Sequence, residues 1–131
     1  MQTKLSLMFL VIILAAATLT ACGLSQTAPE VVEAYWQALV DKDPVTAVTL
    51  SCLDWEEQAR AEANSFEAVE VRLEGVTCSI STEGDGDAVV FCDGSIVANY
   101  GGEDTSISLA DRAYITVMED GEWKMCGYES R

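Results

Sequence analysis

The sequence predicts an α+β domain in which two to three N-terminal helices pack on a curved four-stranded antiparallel sheet. Three observations carry this expectation. Apolar residues recur at helical spacing up to about residue 63, the pattern changes to strand alternation from about residue 66, and the strands are separated by Gly-containing hairpin turns. A chain of 131 residues, 50% of them hydrophobic, has room for one core and not for two ordinary ones.

The apolar fraction is inflated at the N-terminus. Leu5 to Ala17 is a nearly unbroken apolar run after a single positive charge at Lys4, and it gives way to small residues rather than to a basic flank. This is the order of a secretory signal, a charged segment followed by a hydrophobic one; a retained span is the alternative, near the lower edge of membrane-spanning length. The next four residues, Leu19-Thr20-Ala21-Cys22, resemble the bacterial lipobox. The resemblance implies cleavage after Ala21 and acylation of Cys22, with palmitate among the chains added. The plainer alternative is an ordinary signal cleavage with Cys22 an incidental thiol. Two or three acyl chains, each contributing about 0.8 kcal/mol per buried CH₂, anchor a protein without any protein span. The expected organisation is a leader over 1–21, a lipidated cysteine and tether over 22–28, and one domain over 29–131. The expected location is the cell envelope, on the outer side of the cytoplasmic membrane or on the outer membrane.

In the domain, Pro29 suits a first helical turn, Glu30 and Glu33 suit its positive end, and Val32, Tyr35 or Trp36, and Leu39 recur at helical spacing up to about Lys42. Asp43-Pro44 caps and starts a short helix to about Ser51. Asp54 is placed to cap a third helix over 55–63, and Asn64-Ser65 to break it. Val69, Val71 and Leu73 then alternate as a strand, and Val76, Cys78 and Ile80 continue on the opposite parity, as a bulge at Glu74-Gly75 would produce. Glu83 to Asp87 is a turn. A second strand runs over 87–99, a third over 105–118 and a fourth over 122–128, with Gly101-Gly102 and the two-residue turn Asp120-Gly121 as connections.

Setting Cys22 aside leaves four of the five cysteines, an even number for an oxidising compartment. A turn centred on Asp85 places Cys78 opposite Cys92 across a hairpin, within disulfide reach; Cys52 and Cys126 then form the second bridge. A zinc site is the competing reading, but there is no C-x-x-C pair and no histidine. The same lack of histidine excludes hydrolytic triads. Without Lys4 the chain has six basic residues against 22 acidic ones, a formal charge of −16. Such a surface repels nucleic acid and anionic head groups. The acid-rich turn at Glu83, Asp85 and Asp87 lacks a full calcium-loop pattern and is read as a hairpin turn. No cofactor is indicated.

Val31-Val32-Glu33-Ala34-Tyr35-Trp36-Gln37-Ala38-Leu39, then Asp43 and Ala47, and finally Asp120-Gly121-Glu122-Trp123-Lys124-Met125-Cys126 resemble the nuclear transport factor 2-like superfamily, the cystatin-like cone. The resemblance spans nearly all of 29–128, and its motifs mark the fold rather than a reaction. It implies a pocket between the first helix and the concave face of the sheet, lined by Tyr35, Trp36, Leu39, Trp55 and alternate strand residues, suited to a mostly apolar ligand. Plain core packing of the same residues is the alternative.

One strand residue stands out. Asp111 shares the parity of Ile107, Leu109, Ala113, Ile115 and Val117, so a regular strand would aim its carboxylate at the apolar face and poise it as a general base. The resemblance takes in isomerase-like and cyclase-like enzymes, and in that setting Tyr35 or Tyr114 would donate to a developing enolate. Alternatively a bulge turns Asp111 outward, or Arg72 or Arg112 pairs with it. Three functions are therefore expected, in order: a non-catalytic module binding an apolar small molecule or an envelope protein, an Asp111-based isomerase or cyclase, and an assembly subunit or homodimer that uses the convex sheet face.

Overall fold

The computed structural model describes residues 25–131; the leader 1–21 and the candidate lipidation residue Cys22 lie outside the described residues. Thr27 opens the first helix with a reciprocal cap. Its hydroxyl accepts from the Glu30 N–H at 3.5 Å, and the Glu30 carboxylate accepts from the Thr27 N–H at 2.7 Å. Helix α1 therefore spans Ala28–Val40, and Ala28, expected in the tether, is its buried first residue. Val31, Val32, Tyr35, Trp36 and Leu39 give it a continuous buried face. The chain reverses at Lys42, whose φ is 60°. Asp43 then accepts from the Thr46 N–H at 3.0 Å and starts α2, Pro44–Thr49.

The third helix departs from expectation. Leu53–Trp55 is a single 3-10 turn that contains Asp54, and α3 runs over Glu56–Ser65 with no side-chain cap. Asn64 and Ser65 complete its last turn instead of breaking it, the Ser65 hydroxyl donating to the Glu62 carbonyl at 2.6 Å. Burial of Ala59 and Ala63, one turn apart, outweighs the weak helical preference of these polar residues.

Five antiparallel strands follow rather than four: β1 Glu70–Glu83, β2 Asp87–Tyr100, β3 Glu103–Ser108, β4 Arg112–Glu119 and β5 Glu122–Ser130. Their order is β1-β2-β4-β5, with β3 also on β2. The register of β1 on β2 shifts between Glu74 and Thr77, so Val71 and Leu73 and then Val76 and Cys78 pack against the core despite their different parities, while Ile80 is exposed. The expected third strand is split. β3 pairs with β2 over residues 95–100 and β4 over residues 87–91; between these ladders residues 109–112 oppose residues 92–94, four against three. This extra residue inverts the parity of everything after it. Tyr114 and Thr116, not Ala113, Ile115 and Val117, are the fully buried positions of β4 that face the helices.

Cys78 opposes Cys92 in the β1–β2 register and is bonded to it, with Cα atoms 4.1 Å apart. Cys52 is bonded to Cys126 at a Cα separation of 5.2 Å. The second bridge reinforces a backbone clasp: the Met125 N–H donates to the Leu50 carbonyl and the Cys52 N–H to the Met125 carbonyl, each at 2.8 Å. The segment after α2 thus covers the edge of β5. On β1, the Glu33 carboxylate of α1 accepts from the Cys78 N–H at 2.7 Å, covering one edge donor there. No helix among the described residues is long and apolar enough to cross a membrane.

Candidate functional site

The helices cover the concave face of the sheet and leave a cavity of about 160 Å³ at the open end of the cone. Trp36 and Leu39 reach it from α1, Glu62 and Ser65 from α3, with Phe66 just beyond that helix. Ile96 of β2, Ile107 of β3, Arg112 of β4 and Tyr128 of β5 complete the lining. A wider groove of about 640 Å³ runs beside α1 where the described chain begins, lined in part by Glu30, Glu33, Leu73 and Val76. Its two carboxylates already accept from Thr27 and Cys78, so it offers less unspent recognition chemistry than the cone mouth.

Glu62 organises the wall of the cavity. Its carboxylate accepts from the Tyr35 hydroxyl at 2.6 Å, from the Tyr128 hydroxyl at 2.7 Å and from the Gln58 amide at 3.3 Å. The Trp55 indole N–H donates in turn to the Tyr35 oxygen at 3.2 Å. Trp36 meets Tyr35 and Tyr114 edge-on, at centroid distances of 5.9 and 6.0 Å, and Trp55 meets Tyr128 at 5.6 Å. The Arg112 guanidinium lies 4.5 Å over the Tyr128 ring and 5.9 Å from that of Trp36. The Nε1 of Trp36, a residue only 2% exposed, is turned to the Tyr114 hydroxyl without completing a well-formed hydrogen bond there.

Burial drives the Tyr35 phenol far above its ordinary range, and its bond to Glu62 and the charge there act in the same direction. Burial pushes Tyr128 up to about 12, again reinforced by Glu62, and pushes Tyr114 up to about 12. A free phenol ionises near pH ~10. Between about 10 and about 12 the unfolded chain therefore releases protons that the folded chain retains. The stability these phenols contribute is complete below the unfolded value and is lost as pH rises through the folded ones. Urea midpoints followed by circular dichroism are expected to fall across that window, and phenolate absorbance to rise together with unfolding. A midpoint unchanged between pH ~10 and ~12 would show that the three phenols are not held neutral by the fold.

Of the residues expected at the pocket, Trp36 and Leu39 line it. Tyr35 stands behind it on Glu62, and Trp55 stands behind Tyr35. Tyr114 backs Trp36 with its hydroxyl donating to the Leu109 carbonyl at 3.1 Å. Asp111 is a correction. It sits on the exposed turn between β3 and β4, where its carbonyl accepts from the Arg131 N–H at 3.0 Å and its side chain is outside the cavity. Arg72 pairs with Glu74 and Asp104 instead of with Asp111. The bulge, which was the alternative for this strand, turns Asp111 outward and brings Arg112 to the cavity wall. Glu62, Phe66, Ile96, Ile107 and Tyr128 were not singled out by sequence, and Arg112 only as an alternative partner of Asp111; Glu62 had a signal, as the polar neighbour of the buried Ala59 and Ala63 face. Among the described residues no three His, Cys, Asp or Glu side chains are grouped to hold a metal ion.

No family model matches the chain, and no curated protein matches it at a significant level. Solved structures do. The solution structure of RPA3114, a SEC-C motif containing protein from Rhodopseudomonas palustris, has a TM-score of 0.54 at 16% identity, over 79% of each chain. A variant of Rd1NTF2_05 matches with a TM-score of 0.53 at 10% identity, covering 76% of this chain and 93% of that one. The chain has an NTF2-like fold. Bd1075 from Bdellovibrio bacteriovorus matches with a TM-score of 0.51 at 12% identity, but this chain spans only 38% of its length. At these identities the likeness is one of architecture alone. The NTF2-like cone accounts for the position of the cavity, and its chemistry has to be argued from the side chains that line it.

Proposed function

We propose that this protein is a lipid-anchored, extracytoplasmic binding module: a leader over 1–21 is removed, Cys22 carries the acyl chains, residues 23–27 form the tether, and the cone takes a small ligand at its mouth. The observation that carries the binding reading is Arg112, a partly buried guanidinium without a carboxylate partner at a cavity walled by Leu39, Phe66, Ile96 and Ile107. Partial burial penalises an unpaired charge unless something supplies a counter-charge. The catalytic reading loses its residue with Asp111 outside, while the one carboxylate at the cavity, Glu62, is clamped by two phenols. The anchor reading rests on Leu19-Thr20-Ala21-Cys22 and on the two disulfides, which suit an oxidising compartment.

Both parts are open to test. Full-length protein made in a bacterial host fed an alkyne-labelled palmitate is expected to take up label and to fractionate with membranes, and Cys22→Ser to lose both properties. Label or membrane association that survives in Cys22→Ser counts against the anchor. For the pocket, the indole N–H resonance of Trp36, assigned through Trp36→Phe, is expected to move when a panel of small neutral, cationic and anionic compounds is added. Silence across the whole panel counts against binding at the cone mouth.

A further inference from the structure

Resting on the reading of the cone mouth as a binding site, we propose that its ligand is a small organic monocarboxylate, with the carboxylate on Arg112 and an apolar body against Leu39, Phe66, Ile96 and Ile107. The argument begins with the distribution of positive charge. The described chain has six basic residues among 22 acidic ones. Lys42, Arg60, Arg72 and Arg131 are exposed. Of the two that are partly buried, Lys124 has the Glu122 carboxylate at 3.0 Å and the Thr49 carbonyl at 2.9 Å. The Arg112 side chain has no hydrogen bond and no ion pair with any described residue; aromatic faces are what it touches. In so acidic a protein a partly buried guanidinium without a carboxylate is conspicuous, because acids are available everywhere and partial burial penalises an unpaired charge.

The geometry suits an acceptor that comes from outside. The guanidinium lies over the Tyr128 ring with no described acceptor on its N–H groups, and a planar fork of donors matches a carboxylate. Glu62 lines the cavity too, and its charge opposes any anion there. Its oxygens already accept from Tyr35, Tyr128 and Gln58, which spreads that charge, and a ligand with one negative charge meets less repulsion than one with two. At about 160 Å³ the cavity falls below the ~300 Å³ that a drug-sized ligand needs, so the ligand is small.

The test uses the full chain in detergent micelles, with the Trp36 indole resonance as readout. Acetate, isovalerate and benzoate are the carboxylate probes, isovaleramide and benzamide their neutral counterparts, and inorganic phosphate the competing anion. Isovalerate or benzoate is expected to shift the resonance in a saturable way, the amides to bind at least tenfold more weakly, and Arg112→Gln to weaken carboxylate binding at least tenfold. Arg112→Lys, which retains charge without the fork, is expected to fall between wild type and Arg112→Gln, and the unchanged Tyr and Trp resonances of both variants would show that the fold is intact. Amides that bind as well as the acids, an Arg112→Gln that binds as well as wild type, or phosphate that binds more tightly than the carboxylates would each overturn the carboxylate assignment while leaving a binding site at the cone mouth. No shift with any probe overturns the assignment and, if the wider panel is silent too, the binding reading with it.

Discussion

Alanine at both Cys52 and Cys126 is expected to lower the free energy of unfolding by about 4 kcal/mol under oxidising conditions, a large share of what a domain of this size has. The bridge joins residues separated by 74 positions, and in the chain-entropy account the cost of losing a cross-link rises with the logarithm of the loop it closes. Alanine at Cys78 and Cys92, separated by 14 positions, is expected to cost about 3 kcal/mol on the same account. The long-loop bridge also backs the clasp in which Leu50 and Cys52 pair with Met125, so its loss exposes the β5 edge to fraying. Equilibrium urea denaturation of the two double variants against wild type decides the matter. A smaller loss for the Cys52–Cys126 pair than for the hairpin pair would mean that residual structure in the unfolded chain, and not loop length, sets the value.

Gly94→Ala is expected to cost about 3 kcal/mol, for two separate reasons. The backbone φ there is 95°, which an L side chain adopts only with strain. The added Cβ would also meet backbone, lying 2.6 Å from the Gly75 carbonyl oxygen and 2.7 Å from that of Glu74. Gly94 sits where β2 passes the β1 bulge and where the Leu109 N–H donates to its carbonyl at 3.0 Å. Its conformation is therefore part of the bend that divides β3 from β4. Gly101→Ala separates the two causes: φ is 63° and nothing lies within 4 Å of the added carbon, so only backbone strain remains, about 1–2 kcal/mol. Equal urea midpoints for the two variants would show that β1 yields to the extra methyl and that the close approach at Gly94 is not rigid.

Much of the architecture was legible in the chain because each signal was local. Asp43-Pro44 starts α2 by the expected hydrogen bond, and Asp120-Gly121, both at positive φ, makes the two-residue turn between β4 and β5. The β1 bulge could be seen because the apolar parity jumps from Leu73 to Val76 while the residues between are polar or glycine. The break between β3 and β4 had no such mark. Residues 107–118 are apolar on both parities, since the convex-side Ile115 and Val117 are themselves partly buried, and alternation alone could not say which set faces the helices. Glu62 and Arg112 were overlooked as cavity residues for a related reason. A glutamate on a helix and an arginine on a strand usually mark the solvent face, and only their packing against Tyr35, Tyr128 and Trp36 gives them another setting.

What the sequence determined by itself were the features in which a residue acts on its chain neighbours or on a partner across a short turn: helices before strands, the hairpins, and Cys78 facing Cys92. The proposed anchor at Cys22 also rests on sequence alone. The tertiary structure decided which face of β4 is inside, and with it whether an acid or a base meets the cavity. One extra residue opposite Gly94 turns Asp111 to solvent and Arg112 to the aromatic wall. The physical reason lies in the aromatic packing over the sheet. Trp36 and Tyr128 leave a place that Tyr114 fills, the bulge is what brings Tyr114 there, and the gain from burying that ring is set by residues distant in sequence rather than by the strand that carries it.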